Sequence, residues 1–250
     1  MKVIDFGLKN YAETLELQQS LFTALLEEKK DNKESRKDNK KESREYVLIG
    51  EHDPVITKGR RAKDENILLP EELLKQQGIS IFKTGRGGDV TFHGPGQMIV
   101  YPIIDLERHR LGVKDYVWLL EESVILLLRE YGIKGERMEG ATGVWLGRGS
   151  DNERKISAIG IKCSRYCTMH GLSLNVDMDL RGFSLINPCG FKNKGVTTMA
   201  YELKKREHFE EVPSIEEVKQ KFLHIFFSLI FPFEEVFNFP KQLRGKNEII

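Results

Sequence analysis

The chain has 250 residues, of which 40% are hydrophobic, and its net charge is +1. This composition is typical of a folded globular protein, and the near-zero charge gives no indication of a nucleic-acid partner or an anionic membrane surface. Three cysteines do not make a disulfide framework, and the most apolar window, 222–231, is too short to span a bilayer. We therefore expect a cytoplasmic protein without a nucleic-acid or membrane partner.

The first half of the chain begins with a short strand, "VIDFG", and a helix from Tyr11 to about Glu28, where apolar residues recur at helical spacing. A run over 28–44 then contains charged and polar residues only, which predicts a solvated, mobile insertion or an extension of the helix. The stretch "YVLIGEH" predicts a second strand, and "DPVITKGRR" predicts a turn that leads into a basic loop.

The second half of the chain mixes strands and helices less regularly than a repeating βαβ chain does. "ISIFK" and "QMIVYPIIDL" predict two strands around a glycine-rich loop, and a helix follows, with Asp115 as its cap and Gly132 as its stop. Further strands are predicted at "TGVWLG", "KISAIGIKCS" and "MHGLSLNVDM", and Ser214 with Glu217 fits a capping box that opens a last helix. These elements predict one α/β (α+β) domain over 1–250, with a mixed β-sheet flanked by helices.

The glycine-rich loop "GRGGDVTFHGPGQ", 85–97, has five glycines in thirteen residues. Glycines let a ligand approach the backbone closely, and exposed N–H groups in such a loop can hold an oxyanion or a carbonyl. The loop lacks the Gly-Lys-Ser/Thr ending of a phosphate-binding loop, and Val90 replaces the third glycine of a dinucleotide motif. We expect a binding role; the alternative is a tight hairpin between two strands.

Cys189 is a candidate nucleophile because of its neighbours in "NPCG"; the alternative is a small buried packing residue. Pro188 has a fixed φ and Gly190 permits a sharp turn, so the pattern presents the thiol at a loop tip. Cys163 and Cys167 lie in or beside an alternating apolar run and are expected to be packing residues. Cys163, Cys167 and His170 would supply three metal ligands, but no fourth ligand lies near them in the sequence, so we expect no metal site.

A nucleophilic thiol needs a cation or a base beside it, because its ordinary pKa of about 8.5 leaves it mostly protonated at neutral pH. His93 and His170 are the candidates in loops, and Lys155 is a third, at the point where a polar turn enters an apolar strand. Spacing alone does not choose between a Cys–His and a Cys–Lys pair. We expect His52 and His109 at the surface, and likewise His208, whereas His224 is expected in the core.

Seven stretches in order resemble the lipoyl(octanoyl) transferase family. They are "EHDPVITKGRR", "GRGGDVTFHGPGQMIVYPIIDL", "ATGVWLG", "RKISAIGIK", "TMHGLSLNV", "INPCG" and "GVTTMAYEL". The resemblance implies a fold similar to the catalytic domain of lipoate and biotin protein ligases. It also implies transfer of an octanoyl group from octanoyl-acyl carrier protein to a lysine of lipoyl domains, those of 2-oxoacid dehydrogenases and of the glycine cleavage H protein.

The resemblance also assigns residues. It implies a Cys189 acyl-thioester intermediate with Lys155 as the partner, and it requires neither a cofactor nor a metal. Substrate-binding residues carried over from the motifs are Arg86, Gly87, Gly88, Asp89, Val90, Thr91, Phe92, His93, Ala158, Ile159, Gly160, Gly171, Leu172 and Ser173. Phe92 stands where the family commonly has a tyrosine, and the charged run 28–44 is not part of the family pattern.

Two other classes of protein fit parts of this pattern. An ATP-dependent lipoate–protein ligase of the same fold would activate its acid as an adenylate and would need no cysteine nucleophile. A non-enzymatic acyl-binding module would bind octanoyl groups without forming a covalent adduct. The glycine-rich loop and the "NPCG" cysteine favour the transferase over the ligase.

Overall fold

The computed structural model describes residues 1–34, 44–187, 195–206 and 211–231. The helices are α1 Tyr11–Glu34, α2 Glu71–Gln76, α3 Val113–Glu130, α4 Met199–Lys204 and α5 Ile215–Ile230. The strands are β1 Lys2–Lys9, β2 Tyr46–His52, β3 Val55–Lys58, β4 Ser80–Lys83, β5 Val90–His93, β6 Gln97–Ile103, β7 Glu136–Arg137, β8 Val144–Leu146, β9 Arg154–Ser164, β10 Cys167–Asn175 and β11 Gly195–Val196. None of the helices described is both long and apolar enough to cross a bilayer.

The strands form two sheets. The larger sheet has the order β1-β2-β6-β10-β9-β8-β7, and β11 pairs with β9 outside that path. Its β1–β2 and β11–β9 pairs are parallel, whereas the pairs formed by β6, β10 and β8 are antiparallel. The smaller sheet has the order β4-β3-β5. The prediction of an α/β fold with a mixed sheet is confirmed, and the second sheet was not predicted.

Alternation along β2 and β6 divides the core between the two faces of the larger sheet. Val47 and Val100 face the cluster that α3 and α5 complete, whereas Leu48 and Ile99 face the cluster formed with α1. This is the period of two expected when both faces of a sheet are covered by helices. A third cluster, around Ile56, lies between the smaller sheet and α2.

The charged run 28–44 is held at both ends. Helix α1 continues to Glu34, and Lys29 is buried against Asp105 at 2.5 Å and Glu107 at 2.7 Å. Residues 35–43 lie outside the described residues. Just beyond the run, the buried Glu45 carboxylate lies 3.0 Å from His109 Nε2. The alternative of a helix extension is therefore confirmed over 28–34. Lys29 is not solvated there, because a buried carboxylate partner offsets the cost of burying its charge.

Four local predictions need correction. "DPVITKGRR" contains β3, and "VTFH" of the glycine-rich run forms β5, because the smaller sheet buries both. Asp115 is not the cap of α3: Gly112 occupies that position, and its N–H donates to the Asp115 carboxylate at 3.1 Å. His109 has only 7% of its side chain exposed, because it pairs with Glu45.

Two predicted helix ends are confirmed. Gly132 follows α3 with a φ of +67°, and its N–H donates to Arg129 O at 2.9 Å. A left-handed glycine at this place satisfies carbonyls that the helix leaves unpaired. Ser214 caps α5, where its hydroxyl oxygen accepts from Glu217 N at 3.2 Å.

Candidate active site

A cavity of about 460 Å³ lies between the glycine-rich loop and strands β9 and β10. Of the predicted site residues, those lining it are Arg86, Gly87, Gly88, Asp89, Val90, Thr91, His93, Lys155, Ala158, Ile159, Gly160, Gly171, Leu172 and Ser173. Motifs that are far apart in sequence therefore meet at one concave surface, which is typical of a small-molecule site.

The glycine-rich loop lies directly on β9. Gly87 N donates to Ile161 O at 2.8 Å, and Gly160 is the residue beneath the loop. A Cβ on Gly160 would stand 2.9 Å from Gly87 O and 3.2 Å from Arg86 Cδ. Only glycine therefore permits the loop to approach the strand this closely.

Replacing Gly160 by alanine should push the loop away from β9. We expect a loss of about 1–3 kcal/mol in the free energy of unfolding, because the contact is with backbone. Gly87→Ala is the matched control for stability, since its Cβ would lie 3.5 Å from Ile161 O, an ordinary contact. Urea unfolding of both variants measures the difference, and equal stabilities would contradict the close-approach argument.

Arg86 and Asp89 maintain the shape of the loop. The buried Arg86 guanidinium donates to Thr57 O at 2.6 Å and to Thr57 Oγ1 at 2.9 and 3.1 Å. The Asp89 carboxylate accepts from Asn66 Nδ2 at 2.6 Å and from Val90 N at 2.8 Å. These contacts fix the backbone of the loop beside the cavity.

Strand β10 brings a strained backbone to the cavity wall. His170 is buried and has a φ of +59°, a conformation that non-glycine residues seldom adopt. The next residue, Gly171, lies so close to β6 that a Cβ would stand 2.2 Å from Val100 O. Such strain persists only where surrounding contacts enforce it, and it is concentrated at binding and catalytic sites.

Phe92 is the one predicted substrate-binding residue that is absent from the lining described here. Its ring packs edge-on against Phe183, with 5.8 Å between ring centroids, and Gly182 lies beneath it. It belongs to the apolar cluster of the smaller sheet. A phenylalanine at this position is therefore consistent with a core role.

Three buried histidines lie at or beside the cavity. His93 and His170 line it, and His52 lies 6.2 Å from His93 between ring centroids. His52 is fully buried, because Nδ1 contacts Lys9 O at 2.9 Å and Nε2 contacts the Tyr101 hydroxyl at 2.9 Å, so the expectation of a surface position was wrong. His224, expected in the core, is exposed on α5, whereas His208 lies outside the described residues.

Burial keeps these histidines neutral. It lowers the pKa of His52 to about 4 and the pKa values of His93 and His170 to about 3. The cationic form is disfavoured because a charge in a low-dielectric interior loses its hydration. Burial therefore disfavours a positive charge on His93 and His170 at neutral pH, which favours the lysine over the histidine alternative.

Lys155 lies at the start of β9 and lines the cavity. Its Nζ donates to Thr142 O at 3.2 Å and stands 4.6 Å from the ring centroid of Trp145. A carbonyl and an aromatic face both favour the ammonium form. Among the described residues lining the cavity, Lys155 combines a positive charge with a proton that can be released, since arginine does not deprotonate.

Cys189 lies outside the described residues, with the rest of 188–194. Before this range, Asn187 N donates to Asn66 O at 2.8 Å. After it, Val196 pairs with Lys155. The other two cysteines are unsuited to nucleophilic chemistry, because burial raises the pKa of both thiols, that of Cys167 to about 12.

Some lining residues were not predicted from the sequence. They include Tyr11, Tyr101 and Asn175. Asn175 ends the apolar run "GLSLN", and a polar side chain at the end of a buried strand was a usable signal. Tyr11 and Tyr101 gave no such signal, since both fit the apolar face of their own element.

Comparisons with known proteins show which family the chain resembles. Residues 10–227 match the family model described as the lipoyl protein ligase A/B catalytic domain. A protein of Parabacteroides distasonis named octanoyltransferase is 48% identical over 223 residues, which cover 89% of this chain and 96% of that one. The octanoyltransferase of Christiangramia forsetii is 43% identical over 226 residues, 90% of this chain and 94% of that one.

Solved structures support the fold. P. falciparum LipL1 in complex with lipoate aligns with a TM-score of 0.68 at 11% identity and covers 96% of this chain and 63% of its own. Lipoate-protein ligase A bound with ATP aligns with a TM-score of 0.59 at 15% identity and covers 92% of this chain and 86% of its own. The chain therefore belongs to the family of the lipoyl protein ligase A/B catalytic domain.

Proposed function

We propose that the protein is an octanoyltransferase, which moves an octanoyl group from octanoyl-acyl carrier protein to a lysine of lipoyl domains. The observation that carries the proposal is a cavity in which Lys155 and the glycine-rich loop lie together beside β9. Relatives named octanoyltransferase that align over about nine-tenths of the chain support the same activity. The solved structures named above align at 11–15% identity, and they support the fold alone.

The proposal includes a Cys189–Lys155 dyad. The motifs "NPCG" and "RKISAIG" support it, as do the lowered pKa values of His93 and His170, which disfavour their cationic forms. An ammonium beside a thiol favours the thiolate, which is the nucleophilic form. Lys155 can provide that charge, and Cys163 and Cys167 are disfavoured as nucleophiles by their raised pKa values.

The first half-reaction transfers the acyl group to the enzyme. The Cys189 thiolate attacks the thioester carbonyl, the new C–S bond forms, and the bond to the phosphopantetheine sulfur breaks. The departing thiolate takes the proton of the Lys155 ammonium, which leaves a neutral amine. One thioester replaces another, so the exchange is nearly balanced and consumes no ATP. The proposed oxyanion donors are backbone N–H groups of the glycine-rich loop, which Arg86 and Asp89 hold in place through their contacts with Thr57 and Asn66.

The second half-reaction forms the amide. The lysine amine of the lipoyl domain attacks the acyl-enzyme carbonyl, and neutral Lys155 accepts the amine proton as general base. The Cys189 thiolate leaves, and the Lys155 ammonium faces it again. An amide is far more stable than a thioester, so this step drives transfer forward. Lipoyl domains of 2-oxoacid dehydrogenases and the glycine cleavage H protein are the proposed acceptors, in the cytoplasm.

A transfer assay separates this function from the ligase alternative. The protein is incubated with octanoyl-acyl carrier protein and a lipoyl domain, with EDTA present and no ATP added, and the acceptor is followed by intact mass. We expect full octanoylation of the acceptor under these conditions. A parallel incubation replaces the donor with free octanoate, ATP and Mg²⁺, and we expect no product there. Turnover only in the second incubation would contradict the proposal and favour the ligase.

A further inference from the structure

We infer that Asn175, Thr197 and Glu202 are positioning residues for Lys155. Together they fix β11 against the part of β9 that carries the lysine, so that the amine is presented to the cavity in one place. The inference rests on the proposed function, since it concerns how the lysine is held for that reaction. None of the three was among the predicted site residues.

Strand β11 is bonded to the backbone of Lys155 itself. Gly195 pairs with Arg154 and Val196 with Lys155 in parallel register. Immediately after the strand, Thr197 N donates to Lys155 O at 3.0 Å. Any shift of Thr197 therefore changes a hydrogen bond of the lysine's own peptide group.

Asn175 holds Thr197 from the side of β10. Its Nδ2 donates to Thr197 O at 2.9 Å, and its Oδ1 accepts from Gln97 Nε2 at 2.8 Å. Because a carbonyl can only accept, the amide orientation of Asn175 is fixed, and so is that of Gln97. Gln97 Oε1 then accepts from His93 Nδ1 at 2.7 Å. A buried series of hydrogen bonds thus connects the glycine-rich loop with β11.

Glu202 holds Thr197 from the side of α4. The Thr197 hydroxyl donates to Glu202 Oε1 at 2.6 Å, and Arg154 donates to both carboxylate oxygens, at 2.7 and 2.6 Å. Burial would raise the pKa of Glu202, but the hydrogen bonds from Arg154 and Thr197 hold it below its ordinary value. The carboxylate is therefore ionised at neutral pH. It accepts hydrogen bonds from Thr197 and from Arg154, the residue before Lys155.

These contacts converge on two adjacent residues of β9. Arg154 is fixed through its side chain and Lys155 through its carbonyl, with Thr197 common to both. Cys189 precedes Gly195 by six residues, so the sequence limits the thiol to a span of about 20 Å from that strand. A displacement of about 1 Å between reacting groups can cost roughly 10²-fold in rate. The hydroxyl of Thr197 is therefore expected to affect catalysis as well as stability.

Thr197→Val tests the inference, because it removes the hydroxyl and keeps the shape and the backbone bonds. We expect kcat for octanoyl transfer to fall about 10- to 100-fold, with KM for octanoyl-acyl carrier protein changed by less than about twofold. We also expect the pH profile of Cys189 alkylation by iodoacetamide, followed on the Cys189 peptide, to shift to higher pH. Thr197→Ser retains the hydroxyl and should restore both values.

Thr168→Val is the matched control. Thr168 is equally buried in β10, where its hydroxyl donates to Pro102 O at 2.9 Å, away from the cavity lining. The Thr168→Val substitution should lower the unfolding temperature of the protein and leave kcat and the alkylation profile unchanged. A Thr197→Val protein with wild-type kcat and alkylation profile would overturn the inference, as would a Thr197→Ser protein as impaired as the valine variant. Failure of the proposed function would instead appear as a wild-type protein without octanoyl transfer.

Discussion

Replacing Lys155 by methionine is expected to lower kcat/KM for octanoyl transfer by about 10²–10⁴-fold, the usual contribution of a general acid–base group. Methionine approximates the length of the side chain but has no charge and no proton to exchange. Cys189 would lose the cation that favours its thiolate, and the acceptor amine would lose its base. Single-turnover measurements of acyl-enzyme formation and of its consumption by a lipoyl domain should both be slowed.

Lys155→Arg separates the two roles. Arginine keeps the positive charge but does not deprotonate at accessible pH, so it can favour the thiolate and cannot accept a proton. We expect acyl-enzyme formation to be partly retained and its consumption by the acceptor to be lost. Lys162→Met is the matched control on the same strand, since Lys162 Nζ lies over the Phe22 ring at 5.1 Å, outside the described cavity lining. Wild-type acylation by the Lys155→Met protein would contradict the assignment.

The second large effect concerns stability at mildly acidic pH. We expect the free energy of unfolding to fall by about 4 kcal/mol between pH 7.5 and 5.5, from three buried histidines. His52, His93 and His170 have pKa values of about 4, 3 and 3 in the folded protein, against about 6.5 when unfolded. Below pH 6.5 the unfolded chain therefore binds more protons than the folded one, so stability present above that pH is lost as pH falls.

Urea unfolding at the two pH values measures this loss. Carboxylates with lowered pKa values, such as Glu45 and Glu202, lose their contribution only at lower pH, so the window isolates the histidines. His170→Asn is the matched variant, since asparagine tolerates the φ of +59° and does not titrate. It should reduce the pH dependence by about a third. Equal stability of the wild-type protein at both pH values would show that these histidines are not buried as neutral groups.

The sequence predicted the main elements well and the second sheet poorly. Periodicity is clear in the long strands β9 and β10 and in the helices α3 and α5. The structure places these elements where the periodicity predicts them. β3 and β5 are four residues each and lie within stretches read as a turn and a glycine-rich loop. Their strand character comes from pairing with each other in the smaller sheet, which no local pattern contains.

The site divides in a similar way. The glycine-rich loop could be identified from composition, whereas Lys155 was selected over His93 and His170 only by the family resemblance. Burial keeps both histidines neutral, which supports the proposed role of Lys155, and that burial depends on the whole fold. The same dependence explains the errors at His52 and His109. Contacts such as Gln97–Asn175, which join residues far apart in sequence, could not be inferred from spacing.

The covalent intermediate is the central claim, and intact mass tests it most directly. The wild-type protein is incubated with octanoyl-acyl carrier protein in the absence of an acceptor and is then treated with hydroxylamine. We predict one octanoyl adduct per chain that hydroxylamine removes, retained in Cys163→Ser and Cys167→Ser proteins and absent from Cys189→Ser. A hydroxylamine-labile adduct at full occupancy in the Cys189→Ser protein would contradict the account.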